Sequence, residues 1–509
     1  MSSVTQLKTL CLCASGAYLA VTAHAQWPCF AADPARSSIA RRAPRDLDGV
    51  AWQVAPLTDE EFIFSSTPVA AGGRVYVLAR HFEDQLHDEN RLIAFAADDG
   101  ERMWTAPIAA DTRDSWSSPA VDLRTGLVIA CADEFVYGVD LDDGSVVWTR
   151  ALNKEIVNAS PLVTSDLTVN GTPANRVFIT DYTGTSANAK LYAINIDPFH
   201  SSDNPHQPGA IAWSVSLPNA SGNSPAYADQ VVYVSSRGGL VKALDARSGG
   251  QLWQRQIDLS GYPPLSGFFG GITLRNGALY LAMYVFTGGE NNAAIFKLDA
   301  ATGDIVWSAP AERSSSTPVV LDDGRVFLSG GIDGDFGSYS KIQAFQDQGA
   351  FATQLWDTHV DSGGSLVVGG WTDQPVYFRE RLYAGRPGMA PHFSAFDELY
   401  ALDLTRQPGE AGFVTSKRSG AGGPAAAAHG RLYSVGADGL VAFNPSPECL
   451  ADLNGDGQVN VADLSRLLEV YGSHEGDGTY DAECDLDLDG TIGIADLSLV
   501  LSVYGAVCP

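Results

Sequence analysis

Val136-Tyr137-Gly138-Val139-Asp140-Leu141-Asp142-Asp143-Gly144-Ser145-Val146-Val147-Trp148 carries the spacing that decides the fold. Asp140, Gly144 and Trp148 stand at i, i+4 and i+8, and so do Asp245, Gly249 and Trp253, and Asp299, Gly303 and Trp307. Gly100 with Trp104 and Gly209 with Trp213 keep the second half, Gly409 with Phe413 substitutes another aromatic, and Trp356 lacks the glycine. Within 45–445 the pattern recurs seven or eight times, each unit opening on Ser/Thr-Pro and running through a strand to this turn. An Asp before a turn can accept a hydrogen bond from the backbone two residues on, and Gly takes the positive-φ position. Leu191-Tyr192-Ala193-Ile194 and Leu399-Tyr400-Ala401-Leu402 read as strands of the same meander. One meander cannot bury both faces, so the units must stack, and stacked radially they form propeller blades.

The ends predict closure. Arg431-Leu432-Tyr433-Ser434 and Leu440-Val441-Ala442-Phe443 lack a following Trp strand, while Val50-Ala51-Trp52-Gln53 is such a strand with nothing before it. Pairing them removes an exposed sheet edge and brings the count to eight blades. The fold class expected is therefore mainly β, an eight-bladed propeller closed by N- and C-terminal strands, with a small helical domain behind it. The repeat resembles that of pyrroloquinoline-quinone (PQQ) dehydrogenases and of their non-catalytic relatives, such as the outer-membrane assembly lipoprotein. That resemblance implies that Trp52, Trp104, Trp148, Trp213, Trp253, Trp307 and Trp356 dock between blades.

Two acidic stretches near the C-terminus carry different chemistry. Asp452, Asn454, Asp456 and Asp463, and again Asp485, Asp487, Asp489 and Asp496, occupy positions 1, 3, 5 and 12 of a twelve-residue loop. Calcium takes roughly six to eight oxygens, and this spacing wraps one chain around it. Gly457 and Gly490 allow the sharp turn at position 6; Gln458 and Thr491 at position 7 offer a backbone carbonyl; position 9 is Asn460 in one loop and Gly493 in the other. The loops lie 33 residues apart, and each leads into an equivalent helix ended by glycine, Gly472 or Gly505. No helix is expected to enter either loop. Two ions of Ca2+ are expected. The duplicated loop–helix over 449–509 resembles a type I dockerin, which implies a cohesin-like protein partner. Cellulosomal dockerins use a hydroxyl-bearing pair at positions 10 and 11 to choose their cohesin; here the pairs are Val461-Ala462 and Ile494-Ala495.

Residues 1–25 read as an export signal: Lys8, an apolar run from Thr9 to Ala23, and the small-x-small site Ala23-His24-Ala25. The run is too short to span a membrane, and no later stretch is long enough, so a secreted, periplasmic or cell-surface protein is expected. The net charge of −28, from 32 basic and 60 acidic residues, argues against nucleic-acid binding. Between 449 and 509, twelve acidic residues face only Arg466, so cations are expected to help this region fold. Five cysteines follow the signal, and export permits disulfides. Cys449 with Cys508 is the first expectation; Cys484 with Cys29, leaving Cys131 unpaired, stays open.

The family's quinone enzymes carry an adjacent cysteine pair over the cofactor, and no such pair exists here. The polar loop His81–Glu89 reads as a charged hairpin insertion. The loop holding His200, His206, Asp197 and Asp203 reads as a solvated insertion, and Asp333–Gly337 lacks the register of a metal turn. His359, His392 and His429 have no partners recognisable in sequence. The expected function is an exported, calcium-binding, non-catalytic propeller, a binding or scaffold module tethered by a dockerin-like domain. The resemblance implies a polysaccharide-related extracellular assembly and leaves a protein or glycan partner on the propeller open. The alternative is an enzyme, either a quinone-dependent oxidoreductase or a glycan-cleaving propeller.

Overall fold

Ser/Thr-Pro starts open inner strands of antiparallel sheets, eight of which circle one axis in the computed structural model. The structure describes residues 26–113, 115–182, 184, 188–332, 338–387, 396–474, 477–481, 483–487 and 489–508. The export signal expected at 1–25, the Asp333–Gly337 turn and His392 lie outside these residues. Blades 1 to 7 span 69–109, 120–151, 162–216, 226–256, 272–311, 319–357 and 376–419, their strands running from axis to rim in chain order. Blade 8 takes Ala425–Ala428, Arg431–Gly436 and Gly439–Phe443 from the C-terminal side. Its rim strand is Val50–Val54, in register through Trp52↔Ala442 and Val54↔Leu440, so the ring closes where the sequence predicts.

The repeat residues hold blade to blade. Ser118 Oγ accepts from Thr67 N at 2.9 Å, Ser160 Oγ from Ser118 N at 3.0 Å, and Ser224 Oγ from Ser160 N at 2.9 Å. These hydroxyls thus stitch neighbouring blades at the axis, and the proline that follows leaves no amide there to satisfy. At the rim, the Trp of one blade packs on the turn glycine of the next. A Cβ on Gly100 would lie 2.6 Å from Trp52, on Gly144 2.7 Å from Trp104, and on Gly303 2.5 Å from Trp253. The indole N–H groups of Trp52, Trp104, Trp213 and Trp253 donate to Ala97 O, Leu141 O, Ala246 O and Ala300 O of the following blade at 2.9–3.1 Å. Six of the seven tryptophans face a small residue across the strands: Ala94, Gly138, Ala193, Ala243, Ala344 and Ala442 oppose Trp104, Trp148, Trp213, Trp253, Trp356 and Trp52, while Trp307 faces Lys297. Two units differ from the expected turn. Gly409 approaches the Asp361 carbonyl rather than a ring, and Trp356 instead meets Phe413 edge-on, centroids 5.8 Å apart.

Residues 26–44 show no periodicity, yet they plug the axis. Trp27 bridges to Ala70 and Cys29 to Ala120, Pro34 O accepts from Tyr227 N, Ala35 O from Leu274 N, and Ile39 bridges to Tyr377. Arg36, fully buried, donates to Phe30 O, Pro225 O, Ser160 O and Pro161 O at 2.6–3.2 Å. Cys29, Cys131 and Cys484 are buried free thiols, so the Cys484–Cys29 alternative is corrected; Cys449–Cys508 is the disulfide. It packs in one apolar cluster with propeller residues Val376, Leu399, Ala426 and Phe443, which fastens the C-terminal module to the ring.

Candidate metal centre

Both predicted loops draw their carboxylates together. Carboxylate oxygens of Asp452, Asp456 and Asp463 lie within 4.8 Å of one another, as do those of Asp485, Asp487 and Asp489. The loops are shaped by their own backbone amides. Asp452 Oδ1 accepts from Gly455 N at 3.0 Å and Oδ2 from Gly457 N at 2.9 Å; Asp485 Oδ2 accepts from Gly490 N at 3.0 Å. At position 12, Asp463 accepts from Asn454 N and Asn460 N, and Asp496 from Leu486 N and Gly493 N, at 2.6–2.9 Å. Each of these aspartates is fully buried and also caps the helix that follows, Val461–Glu469 or Ile494–Ser502. Gly457 and Gly490 have φ of 90° and 80°, the conformation for which position 6 needs glycine.

Other predicted ligands are placed unequally. Asn454 and Asn460 both donate a side-chain amide to Asp456 Oδ2, at 3.0 and 3.1 Å, and Asn460 Oδ1 caps the first helix through Ala462 N. Gln458 donates its backbone N–H to Asp456 and Thr491 its own to Asp489, while the Thr491 hydroxyl meets His474 Nδ1 at 3.1 Å. The two halves interlock: Gln458 bridges to Val507 and His474 to Thr491, so each loop pairs with the chain leaving the opposite helix. The expectation that no helix enters is corrected for the first loop, since one turn, Pro447–Leu450, precedes it with proline at its start.

The residues fit divalent calcium. Asp485 Oδ1 is buried with no hydrogen-bond partner, an orphan that a hard cation satisfies. Burial, with the Asp496 and neighbouring carboxylates, holds both Asp485 and Asp487 above the usual carboxylate range, the mark of crowded negative charge.

Sequence reasoning missed three features. Tyr480 OH donates to Asp485 Oδ2 at 2.5 Å, and Arg379 of the propeller donates to Asp452 Oδ2 and, at 2.8 Å, to Cys508 O. The third is an exposed apolar stripe present in both halves: Val461, Leu468 and Tyr471, repeated as Ile494, Leu501 and Tyr504. Its 33-residue period was visible in the sequence, but which helix face stays uncovered was not.

Elsewhere the candidate loops are structural. The hairpin holding His81 turns at Asp84-Gln85, and the hydrogen bonds that the Asp88 and Asp59 carboxylates accept from His81, at 2.7 and 2.9 Å, outweigh partial burial to raise the His81 pKa. The loop near His200 is not simply solvated: Asp197 and Asn204 are fully buried, and Asp197 Oδ2 holds Asn175. His359 stacks on Tyr339 at 4.1 Å, and His429 is buried beside Arg42 and Arg431, which with burial push it down to about 4. On the axis, against Phe30 of the plug, a cavity of about 60 Å³ is lined by Trp116, Phe269, Trp371 and several serines.

The family profile described as outer membrane protein assembly factor BamB matches residues 49–198, 205–267 and 237–404. The chain belongs to that family. The profile of the dockerin type I domain matches residues 450–502, so the BamB-family propeller carries a dockerin module. BamB of Escherichia coli (strain K12) is 31% identical over 144 residues, 26% of this chain and 34% of the relative. The chain thus spans about a third of the length of that relative. Among solved structures, BamB from Moraxella catarrhalis superposes with a TM-score of 0.51 at 16% identity, covering 77% of this chain and 97% of that one. A europium-containing methanol dehydrogenase superposes at 0.54 with 10% identity, covering 95% and 97%. At these identities the likeness is one of fold, and one fold hosts many functions. No helix among the described residues is long and apolar enough to cross a membrane.

Proposed function

We propose that this protein is an exported, non-catalytic BamB-family propeller that binds two calcium ions in its dockerin module and docks through it onto a cohesin-type protein. The observation that carries the reading is the duplicated stripe, Val461–Leu468–Tyr471 and Ile494–Leu501–Tyr504, left bare on the outer helix faces. Apolar side chains at equivalent places of both halves match a protein interface better than they match solvent. Val461 and Ile494, 64% and 68% exposed, stand where cellulosomal dockerins carry a hydroxyl, so the partner should present an apolar surface opposite them. The propeller then serves as the delivered cargo, a binding or scaffold module in an extracellular assembly with a polysaccharide-related setting.

The axial cavity supports the non-catalytic reading. At about 60 Å³ it holds a few waters, whereas small-molecule sites measure roughly 300–1,000 Å³.

Titration of the full chain with a purified type I cohesin tests the proposal. Binding is expected in calcium and not in chelator, with Leu468→Asp or Leu501→Asp tolerated singly and the double variant inert. Calcium-independent binding, or none, overturns it. Mixing with pyrroloquinoline quinone should leave the visible spectrum that of free cofactor; a tightly held chromophore would favour the oxidoreductase.

A further inference from the structure

The two calcium loops are alike in sequence but are held differently, and the difference comes from the propeller. In each loop the first aspartate uses Oδ2 for the glycine at position 6 and for one further donor. In the second loop that donor is the neutral hydroxyl of Tyr480, from within the module. In the first it is the Arg379 guanidinium, from the turn joining Val376–Phe378 to Arg381–Pro387 in blade 7. Arg379 and Glu380 have φ of 39° and 58°, a tight left-handed turn that directs the side chain off the propeller. The guanidinium is fixed there from other sides as well, by Cys508 O at 2.8 Å and by the Phe378 ring at 5.4 Å. Beside it Arg42 donates to Leu450 O at 3.0 Å and Glu483 O at 2.6 Å, so the seam between ring and module is built from arginines.

Resting on the calcium reading above, we propose that Arg379 is a positioning residue for the first site and couples that site to the docking of the module on the propeller. It orients Asp452 as Tyr480 orients Asp485, but it also brings a positive charge within one carboxylate of the ion. The first loop has three carboxylates and this cation, whereas the second has four carboxylates and a hydroxyl. Calcium therefore fills the second loop first. On entering the first, it repels Arg379 and slackens the seam. By linkage the two effects are equal, so a docked propeller weakens the first site as much as calcium there weakens docking.

Isothermal titration of the full chain with Ca2+ tests this, the first site being assigned in a companion chain whose second loop is silenced by Asp487→Ala with Asp489→Ala. Arg379→Gln keeps a donor and removes the charge. First-loop affinity should rise about tenfold or more, with the second loop unchanged and the melting of the propeller retained. In the wild-type chain, calcium saturation should speed hydrogen exchange at the Arg379–Arg381 turn, and in Arg379→Gln it should not. Unchanged or weaker first-loop affinity in Arg379→Gln overturns the coupling while second-loop uptake leaves the calcium reading standing; no uptake by either loop overturns both.

Discussion

At the scale of single residues, five turn glycines, Gly100, Gly144, Gly209, Gly249 and Gly303, are each fixed by a ring that belongs to the preceding blade. Gly303 has φ of 73° and would place a Cβ 2.5 Å from Trp253, whereas Gly73 has φ of 68° and open space around it. Gly73→Ala should therefore cost only backbone strain, about 1 kcal/mol. Gly303→Ala should add overpacking and reach roughly 2–4 kcal/mol, read as a larger fall in Tm by calorimetry; equal falls would refute the lock. The i, i+4, i+8 spacing made the turn legible. It could not show which Trp meets which Gly, because spacing within a unit is local and docking runs between units. The small residue opposite six of the seven tryptophans was likewise in plain view but gained its meaning only from register.

At the scale of elements, the two acidic loops were the most legible part of the chain, since every expected ligand lies within one short segment. Helix starts at Val461 and Ile494 followed from position 12, where one aspartate serves both loop and cap. What the sequence hid was long-range: Tyr480, Arg379 and the bare stripe all depend on how loops and helices meet other surfaces. With so many carboxylates packed together, the module should depend on its cations. Chelation is expected to lower the unfolding transition of 449–508 while the ring's transition persists, and a calorimetric trace indifferent to chelator would argue against two bound ions. The Cys449–Cys508 bridge keeps the module's ends on the ring during this loss.

At the scale of the whole molecule, blade count and closure were readable from Trp52 and from the unfinished last unit. The axial plug was not, because 26–44 has neither apolar period nor turn signature and its hydrogen bonds go to several inner strands in succession. Arg36 is its anchor: four carbonyls share its guanidinium in full burial. Arg36→Ala should leave them unsatisfied and cost about 3 kcal/mol or more, seen as a lower Tm and easier proteolysis at 26–44; an unchanged Tm would show the plug to be ornamental. Blade 8 unites Val50–Val54 with strands ending at Phe443. A ribosome must therefore deliver everything from Val50 through Phe443 before the rim strand of blade 8 can find its mate. Ring closure is consequently a late event, slow by its high contact order, during which an orphan edge needs shielding from neighbours.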